Sequence, residues 1–555
     1  MLLAINAKYV HSSLSVWVLA EAISRNSLLQ HDVTVIESTI NQSSKDIANL
    51  IAFDRINAPN VIGISTYIWN AQKTQELLAI LCTTLPDTII ILGGPEASHN
   101  ADYWIGLGAD YVVHNEGEQS LPALLDALER DLSIYTDASQ TATALYNVST
   151  GKSRLMTTDA QKPYHPVGTQ LIDPYTQEYL DTLKGKIAYL ETSRGCPYRC
   201  TFCLSGDSTL EFFPMNYAKR SILKLANSGA RTIKLVDRTF NCNVPRAYDI
   251  FEFVIGLDAD CCFHFEVAAD LFDEKTIALL QIAPPGRIQL EAGLQSFYKP
   301  ALDASARTND LDKAQRNIRA LLQGKNIHLH IDLIAGLPHE SLQEFRRSFN
   351  LAYALQAHTL QLGFLKMLHG SVMRKNADIY GICYTRDAPY EIISSPWLSS
   401  NDLQILKSTE NALQHTYNKA RFLITLEYVL SVCGLDPFTL FERLGVATPS
   451  QGLPLDEYAT RLYGFLQDLP GVDADMLQDY MTCDWLMMVK GKNMPSFLKR
   501  HGELRKRIAK TAGDYLGRTL HRDESTVLLS GKGVYVDSTD RDPVTGLYKL
   551  HYIDV

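Results

Sequence analysis

No stretch of this 555-residue chain reaches the roughly 18 consecutive apolar residues that a membrane-spanning helix needs. The short apolar start, Met1–Ile5, is followed by Asn6 and Lys8 without a cleavage-site pattern, so we expect no secretory signal and a cytoplasmic protein. Basic residues are not in excess: 52 Lys and Arg stand against 62 Asp and Glu, which argues against a surface built for non-specific nucleic-acid binding. Ten cysteines in so long a chain fit a reducing compartment better than a disulfide framework.

The chain is long enough for about three domains, and its first part predicts a parallel sheet. Up to about residue 135, short apolar runs alternate with amphipathic stretches such as Leu14–Ile23 and Ala71–Cys82. The predicted strands are Met1–Ile5, Val33–Ile36, Val61–Ser65, Ile89–Leu92 and Tyr111–Val113. This α/β pattern predicts a doubly wound sheet, in which ligands bind beyond the carboxyl ends of the strands.

A second α/β region follows a predicted linker at residues 136–185. From 186 to 375 the pattern is strand then helix, six times over, which predicts a partial parallel (β/α)6 barrel with its active-site residues at the strand ends. The predicted strands are Ile187–Thr192, Thr232–Val236, Cys262–Val267, Arg287–Ala292, Ile327–Ile334 and Thr359–Leu365.

Three cysteines, Cys196, Cys200 and Cys203, lie on a loop that leaves the first of these strands. An iron–sulfur cube normally takes four thiolates, so three close cysteines can hold three irons and leave the fourth open to a ligand. Zinc is the main rival, but no second short-spaced cysteine pair follows at finger spacing. Buried cysteines that merely pack seldom converge on one loop.

The segment from Glu191 to Cys203 resembles the cluster motif of the radical S-adenosylmethionine (radical SAM) superfamily, and Phe202 matches the aromatic preference there. The resemblance implies a [4Fe–4S] cluster on Cys196, Cys200 and Cys203, with SAM chelating the open iron and being cleaved to a 5'-deoxyadenosyl radical. It also implies that SAM is contacted by strand-end residues, namely Asp237, Glu266, Glu291, Gln295, Arg307, Asp332 and Leu337. Arg307 would pair with the SAM carboxylate, since a guanidinium fork matches a carboxylate; a solvated helix arginine is the alternative.

Standing ahead of that motif, the first domain resembles the cobalamin-binding domain of cobalamin-dependent radical SAM enzymes. The resemblance implies cobalamin contacts from the strand-end loops: Lys8, Tyr9, Ser65, Thr66, Tyr67, Gly93, Gly94, Pro95, Glu116 and Gly117. The Asp-x-His-x-x-Gly loop that supplies a cobalt ligand in many such domains is missing. We therefore expect no histidine below the cobalt, a face that Tyr67 or Trp69 could cover unless both are core aromatics.

Residues 380–555 are mostly helical by pattern and resemble a C-terminal domain of unknown function found in one branch of these proteins. The predicted elements are Leu403–Val432, Pro437–Leu444, Asp456–Leu466, Met476–Met488, Phe497–Leu516 and a final hairpin of Gly533–Ser538 and Leu547–Tyr552. A basic cluster lies here: Lys490, Lys492, Lys499, Arg500, Arg505, Lys506, Arg507 and Lys510. A solvated helix face is favoured over a site for RNA or an anionic substrate.

The resemblance implies an enzyme that methylates an unactivated carbon by means of the 5'-deoxyadenosyl radical and methylcobalamin, with a reducing partner of the flavodoxin or ferredoxin type. Two alternatives stay open: a cobalamin-assisted rearrangement or cyclisation without methyl transfer, and a non-catalytic cobalamin or redox sensor. The substrate, a small molecule or RNA, and the catalytic side chains are not readable from these residues. Because reacting groups must be held close together, the loops at Tyr67 and Gly93 are expected to face the barrel mouth near Asp237 and Gln295.

Overall fold

The computed structural model describes residues 1–53, 59–129, 142–143, 157–158, 171–448, 452–488, 494–499, 502–521 and 524–553. Most of the predicted linker, together with Lys490, Lys492 and Arg500 of the basic cluster, lies outside the described residues. The chain forms two compact units. The first comprises Met1–Phe240, Asp249–Glu266 and Lys366–Ile392, and the second comprises Asn241–Tyr248, Val267–Leu365 and Ile393–Val555.

The first unit begins with a five-stranded, all-parallel sheet whose spatial order is 2-1-3-4-5, which confirms the predicted doubly wound fold. Its strands are Leu2–Asn6, Val35–Thr39, Val61–Ser65, Ile89–Gly93 and Tyr111–Val112. Its helices are Leu14–Asn26, Ser44–Phe53, Ala71–Thr84, Pro95–His99, Ala101–Gly106 and Gly117–Glu129. Helices cover both faces of such a sheet, so the central strands are apolar throughout: Ile62, Ile64, Ile90 and Leu92 are all buried.

The predicted barrel strands are present in both units: in chain order, three of them lie mainly in the first unit and three in the second. They are Ile187–Leu190, Thr232–Leu235, Cys262–Val267, Ile288–Gln295, His328–Ala335 and Thr359–Phe364. The helices along this region are Met215–Ala226, Val244–Ile255, Glu274–Gln281, Lys299–Ala304, Leu311–Gln323 and Leu342–Tyr353. Side chains alternate between buried and half-buried along the fourth and fifth strands. The polar half-buried side chains therefore share one face of each strand.

The C-terminal part of the second unit is mostly helical, as predicted, and ends in a three-stranded antiparallel sheet. The helices are Ser400–His415, Leu423–Val432, Pro437–Ala447, Leu455–Leu466, Ala474–Met488 and Glu503–Leu516, and the strands are Ser525–Val527, Gly533–Arg541 and Tyr548–Ile553. The predicted hairpin is present, but its partner strand Ser525–Val527 was missed. The last predicted helix begins at Glu503 rather than Phe497, after Gly502 at a φ of +127°.

The prediction of one helix over Leu403–Val432 is wrong, because the helix is interrupted between His415 and Leu423. Ala420 and Phe422 both adopt left-handed backbone conformations there. The side chain of Asn418 accepts a hydrogen bond from the Leu360 amide and donates one to the Leu360 carbonyl, both at 2.9 Å. This tertiary pairing holds the turn against a barrel strand and overrides the local helical pattern.

Among the described residues, no single helix is long and apolar enough to cross a membrane. One pair of helices, Leu423–Val432 and Pro437–Ala447, passes the length and composition criteria together but is bent by 117° at its break.

Candidate cofactor-binding site

The cysteine loop lies between the strand Ile187–Leu190 and a 3-10 turn at Leu204–Asp207. None of the ten cysteines, all of which are described, is in a disulfide. Cys200 is buried, whereas Cys196 and Cys203 are half-buried. The Ser205 amide donates to Cys203 Sγ at 3.4 Å, the kind of amide contact that stabilises a thiolate ligand. The donor set therefore fits an iron–sulfur cluster.

Two glycines allow this loop to fold tightly. Gly195 has a φ of +88°, and a Cβ built there would lie 2.1 Å from the Thr209 carbonyl oxygen. A Cβ at Gly206 would lie 3.0 Å from the carbonyl oxygen of Cys200. The chain around the thiols thus leaves no space for a side chain at Gly195, and close backbone approach is the reason for glycine there.

Asp237 comes two residues after the strand Thr232–Leu235 and is only 2% exposed. Its carboxylate accepts hydrogen bonds from Thr192 N at 3.1 Å, Thr192 Oγ1 at 2.7 Å and Ser193 Oγ at 2.5 Å. Burial raises the pKa of Asp237 to about 6. Both carboxylate oxygens are used on the chain itself, so Asp237 supports the cysteine loop, a role that the sequence analysis did not assign to it.

Arg194 connects the cysteine loop to the first domain. Its guanidinium makes a bidentate contact with Glu191 at 3.0 and 2.7 Å. It also lies 2.9 Å from Glu118 Oε1 and 3.9 Å from Glu116 Oε1. These carboxylates raise the pKa of Arg194 further despite its burial, so the arginine stays charged. Glu116, predicted as a cobalamin contact, is therefore close to the residue two positions before Cys196.

Tyr67 and Trp69, which follow the third strand, form a stacked pair with ring centroids 4.2 Å apart. Trp69 is 49% exposed, so the pair is not a core cluster. Burial raises the pKa of Tyr67, and its hydroxyl is close enough to Arg238 and Glu191 for their charges to affect that pKa. This agrees with the expected approach of the Tyr67 loop to the Asp237 turn; the parts that concern Gly93 and Gln295 stay predictions.

Thr66 and Gly94, two other strand-end residues of the first domain, lie in tight contact. Gly94 has a φ of +94°, and a Cβ there would lie 2.6 Å from the Thr66 carbonyl oxygen. Ser65 is half-buried at the end of its strand. The hydroxyl of Thr66 is buried and has no hydrogen-bond partner among the described residues. An orphaned hydroxyl beside a glycine turn fits a loop that contacts a bound ligand.

The loop after the first strand reaches the edge of the barrel sheet. The amide of Ile187 donates to Val10 O at 2.7 Å, and the amide of Ser12 donates to Ile187 O at 3.2 Å. His11 Nδ1 lies 2.5 Å from the hydroxyl of Tyr189. Burial lowers the pKa of His11, which favours the neutral imidazole. In the same loop, Tyr9 is 76% exposed and the predicted contact Lys8 precedes it.

A segment that the sequence analysis left outside the site, Lys366–Ile392, touches both the first domain and the cysteine loop. The Tyr390 hydroxyl donates to Glu96 at 2.5 Å, in the short helix that begins at Pro95. A Cβ at Gly370 would lie 2.4 Å from the His99 ring. The Met373 amide donates to Thr201 O at 2.7 Å, between Cys200 and Cys203. The turn Leu368–Ser371 is thus tied to the first domain through Gly370.

Three more predicted residues of the first unit, Glu266, Phe202 and Gly117, each have a different structural setting. Glu266, at the end of the third barrel strand, pairs with Lys234 at 3.1 Å. Phe202 is half-buried within the cysteine loop. Gly117 begins the helix that carries Glu118.

The second unit brings Gln295 and Arg307 together at Gly293. Arg307 Nη2 donates to the carbonyl oxygen of Gly293 at 2.8 Å. The Gln295 amide nitrogen lies where a Cβ of Gly293 would be only 2.2 Å away. Gln295 has a φ of +69°, a left-handed conformation that is uncommon for a residue other than glycine.

Two other predicted residues of the second unit, Glu291 and Asp332, converge on a histidine that the sequence analysis missed. The ligand atoms of Glu291, His330 and Asp332 all lie within 4.8 Å of one another. His330 Nε2 lies 3.0 Å from Asp332 Oδ1. Alternation of His328, His330 and Asp332 with buried residues along one strand was the signal that could have revealed His330. Leu337, in contrast, is fully buried, so its side chain packs in the core.

Three known protein families match three successive segments of the chain. Residues 2–125 match the B12 binding domain, residues 190–352 match the radical SAM superfamily, and residues 378–519 match a protein family of unknown function, DUF4080. The chain therefore carries a B12 binding domain, a radical SAM domain and a C-terminal domain of unknown function, which is the organisation that the sequence predicted. A radical SAM domain implies a [4Fe–4S] cluster and SAM, a B12 binding domain implies cobalamin, and the predicted cofactor set is confirmed.

Two curated relatives have low sequence identity to this chain. A cobalamin-dependent radical SAM methyltransferase of Streptomyces tokunonensis is 24% identical over 53% of this chain and 44% of its own length. An anaerobic magnesium-protoporphyrin IX monomethyl ester cyclase of Rubrivivax gelatinosus is 22% identical over 58% of each chain. The chain thus spans about half the length of these relatives.

One solved structure supports the fold. The cobalamin-dependent SAM radical enzyme OxsB with aqua-cobalamin bound matches with a TM-score of 0.58 and 14% identity, over 87% of this chain and 78% of that chain.

Proposed function

We propose that this radical SAM enzyme methylates an unactivated carbon of an as yet unidentified substrate, a small molecule or RNA. The observation that carries the proposal is the contact of Arg194, two residues before Cys196, with Glu118 and Glu116 of the B12 binding domain. A methyl donor and a radical source serve one carbon only if their binding loops lie close together. The Tyr67 loop, near Arg238, supports the same arrangement.

In this proposal, Cys196, Cys200 and Cys203 hold the cluster, and Gln295, Arg307, Glu291 and Asp332 bind SAM. Asp237, Glu266 and Leu337 are not included, because their contacts are with the chain itself. The strand-end loops of residues 1–135 hold cobalamin, the segment 186–375 is the radical domain, and 380–555 forms a cap. When bound, the cluster and SAM supply a 5'-deoxyadenosyl radical and cobalamin supplies the methyl group. The chain's own residues bind and orient the cofactors and the substrate, and they exclude water from the site. Arg307 is suited to a carboxylate because its guanidinium is a fixed fork.

The stacked pair of Tyr67 and Trp69 would contact bound cobalamin. His11 is hydrogen-bonded to Tyr189, and His99 packs on Gly370, so both imidazoles already have contacts within the chain. Radical SAM enzymes generally need a reductant. We propose one of the flavodoxin or ferredoxin type, since these carry single low-potential electrons.

The named methyltransferase relative supports methyl transfer, although this chain covers only 44% of its length. A second candidate, a cobalamin-assisted cyclisation or rearrangement without methyl transfer, is favoured by the similarity to the protoporphyrin ester cyclase. Both candidates need the same cofactors, so the fate of the SAM methyl group separates them.

The experiment compares cells that express the wild type with cells that express a Cys196→Ala, Cys200→Ala, Cys203→Ala variant, both fed methionine labelled at its methyl group. Untargeted profiling of metabolites and RNA nucleosides follows. A labelled compound found only with the wild type, together with 5'-deoxyadenosine from the purified protein, supports methyl transfer. A compound that changes without acquiring label favours cyclisation or rearrangement. SAM that is bound but not cleaved would contradict both and favour a cobalamin or redox sensor.

A further inference from the structure

A fully buried carboxylate lies behind the predicted SAM-binding turn of the second unit. Glu340 is 0% exposed and follows the strand His328–Ala335, just before the helix Leu342–Tyr353. It is not one of the predicted site residues. A buried carboxyl group costs free energy unless it is hydrogen-bonded, so its contacts indicate what it stabilises.

Glu340 Oε1 accepts two hydrogen bonds, from Ser296 Oγ at 2.5 Å and from Ser348 Oγ at 2.9 Å. Each serine hydroxyl in turn accepts a hydrogen bond from a backbone amide. Tyr298 N donates to Ser296 Oγ at 2.8 Å, and Phe297 N donates to Ser348 Oγ at 3.1 Å. Because each hydroxyl has a single proton, pointing it at Glu340 leaves the oxygen lone pairs for these two amides.

The turn held in this way begins at Gln295. That residue is in the left-handed conformation, at a φ of +69°, which is strained for a residue other than glycine. Such a conformation persists only where the surroundings fix it. Ser296, next along the chain, is fully buried and bonded to Glu340, so the bonds to Glu340 fix the chain immediately after Gln295.

We propose that Glu340 is a positioning residue for SAM binding, acting through Ser296 and Ser348 to hold the Gln295 side chain beside Gly293 and Arg307. The inference rests on the proposed role of Gln295 and Arg307 in binding SAM. It adds a residue that touches no cofactor atom but sets the geometry of one that does. The competing explanation is that Glu340 only stabilises the core of this unit.

The test measures the dissociation constant for SAM by equilibrium dialysis with labelled SAM, using full-length protein reconstituted anaerobically. It also measures the thermal midpoint and the dependence of 5'-deoxyadenosine formation on SAM concentration. Glu340→Ala removes the acceptor of both hydroxyl protons and should weaken SAM binding about tenfold. Its rate at saturating SAM should stay within about threefold of wild type, because the interaction concerns binding. Glu340→Gln keeps a carbonyl oxygen for both hydroxyls and should restore most of the affinity.

Two further variants keep the inference falsifiable. Phe345→Leu, at a fully buried position on the following helix, lowers stability without removing a hydrogen bond of Glu340 or the two serines, and should leave SAM affinity unchanged. Ser348→Ala removes one of the two links and should weaken SAM binding about threefold, even if Glu340→Ala fails to fold. The inference is wrong if wild type binds SAM and Ser348→Ala or soluble Glu340→Ala binds it equally well, or if Phe345→Leu weakens it as much. A wild type that binds no SAM would instead overturn the proposed function.

Discussion

The guanidinium of Arg194 lies 2.9 Å from the Glu118 carboxylate, which joins the cysteine loop to a helix of the B12 binding domain. The Glu118 side chain is 8% exposed and that of Arg194 is 24% exposed. Replacing the arginine by a neutral residue leaves a nearly buried carboxylate without its cation, which typically costs about 3 kcal/mol or more. We expect Arg194→Gln to lower the thermal midpoint of the protein clearly.

A matched control is available in Arg461→Gln. Arg461 pairs with Glu457 at 2.7 Å on one exposed helix, and both side chains are more than 40% exposed. Such a surface pair contributes about 0.5 kcal/mol, so its loss should be barely measurable. Equal shifts of the thermal midpoint in the two variants would contradict the importance of the Arg194 contact.

The second prediction concerns the cluster ligands. Wild-type protein reconstituted without oxygen should hold about four irons per chain. Cys196→Ala, Cys200→Ala and Cys203→Ala should each lose most of this iron and abolish 5'-deoxyadenosine formation. Cys82→Ala, at an exposed position in the same unit, should retain both. Iron counting and chromatography of the nucleoside check this, and a triple variant that still holds the cluster would refute the assignment.

The third prediction compares two glycines with left-handed backbones. Gly185 has a φ of +74° and no heavy atom within 4 Å of an added Cβ, whereas at Gly195 the Thr209 carbonyl oxygen lies 2.1 Å away. Gly185→Ala should cost only the strain of that conformation, about 1–2 kcal/mol. Gly195→Ala must also displace the loop, so it should lose cluster iron where Gly185→Ala keeps it. Equal iron contents would show that the loop adapts freely.

These contrasts separate what the sequence could predict from what it could not. Apolar runs located the strands of the first domain to within about three residues, because strands buried on both faces are continuously apolar. Cysteine spacing located the cluster loop, since ligand spacing is a local property. The break at Asn418 and the pairing of Arg194 with Glu118 depend on partners distant in sequence, which no local pattern contains. The alternation of polar and apolar residues along its strand could have predicted the position of His330, but no motif marked it as a site residue.

The fourth prediction concerns cobalt. His11 Nδ1 is 2.5 Å from the Tyr189 hydroxyl, and the sequence lacks the usual histidine loop. Electron paramagnetic resonance of the cobalt(II) form should therefore show no coupling to a protein nitrogen, and His11→Ala should leave the spectrum unchanged. A nitrogen coupling that disappears in that variant would identify His11 as a ligand.

The last prediction is a pH dependence of stability with a definite sign. Burial raises the pKa of Glu340 from 4.5 to about 7. Between these values the folded protein holds a proton that the unfolded chain has released, so the free energy of unfolding falls as pH rises. The stabilisation is complete below about pH 4.5 and is lost as pH passes 7. One pKa unit corresponds to about 1.4 kcal/mol, so between pH 5.5 and 8 the loss should be about 2 kcal/mol.

Glu340→Gln cannot lose that proton and should show none of this loss. Glu344→Gln, on the helix that follows Glu340, is the control, because a hydrogen bond from Ser341 lowers the pKa of Glu344 instead. Its stabilisation is already complete above about pH 4.5, so that variant should differ from wild type by a constant amount between pH 5.5 and 8. Asp237 and Asp484, with pKa values raised to about 6, contribute equally to all three proteins and cancel in the differences. Parallel curves for wild type and Glu340→Gln, measured by anaerobic denaturant unfolding, would show that Glu340 does not titrate in this range.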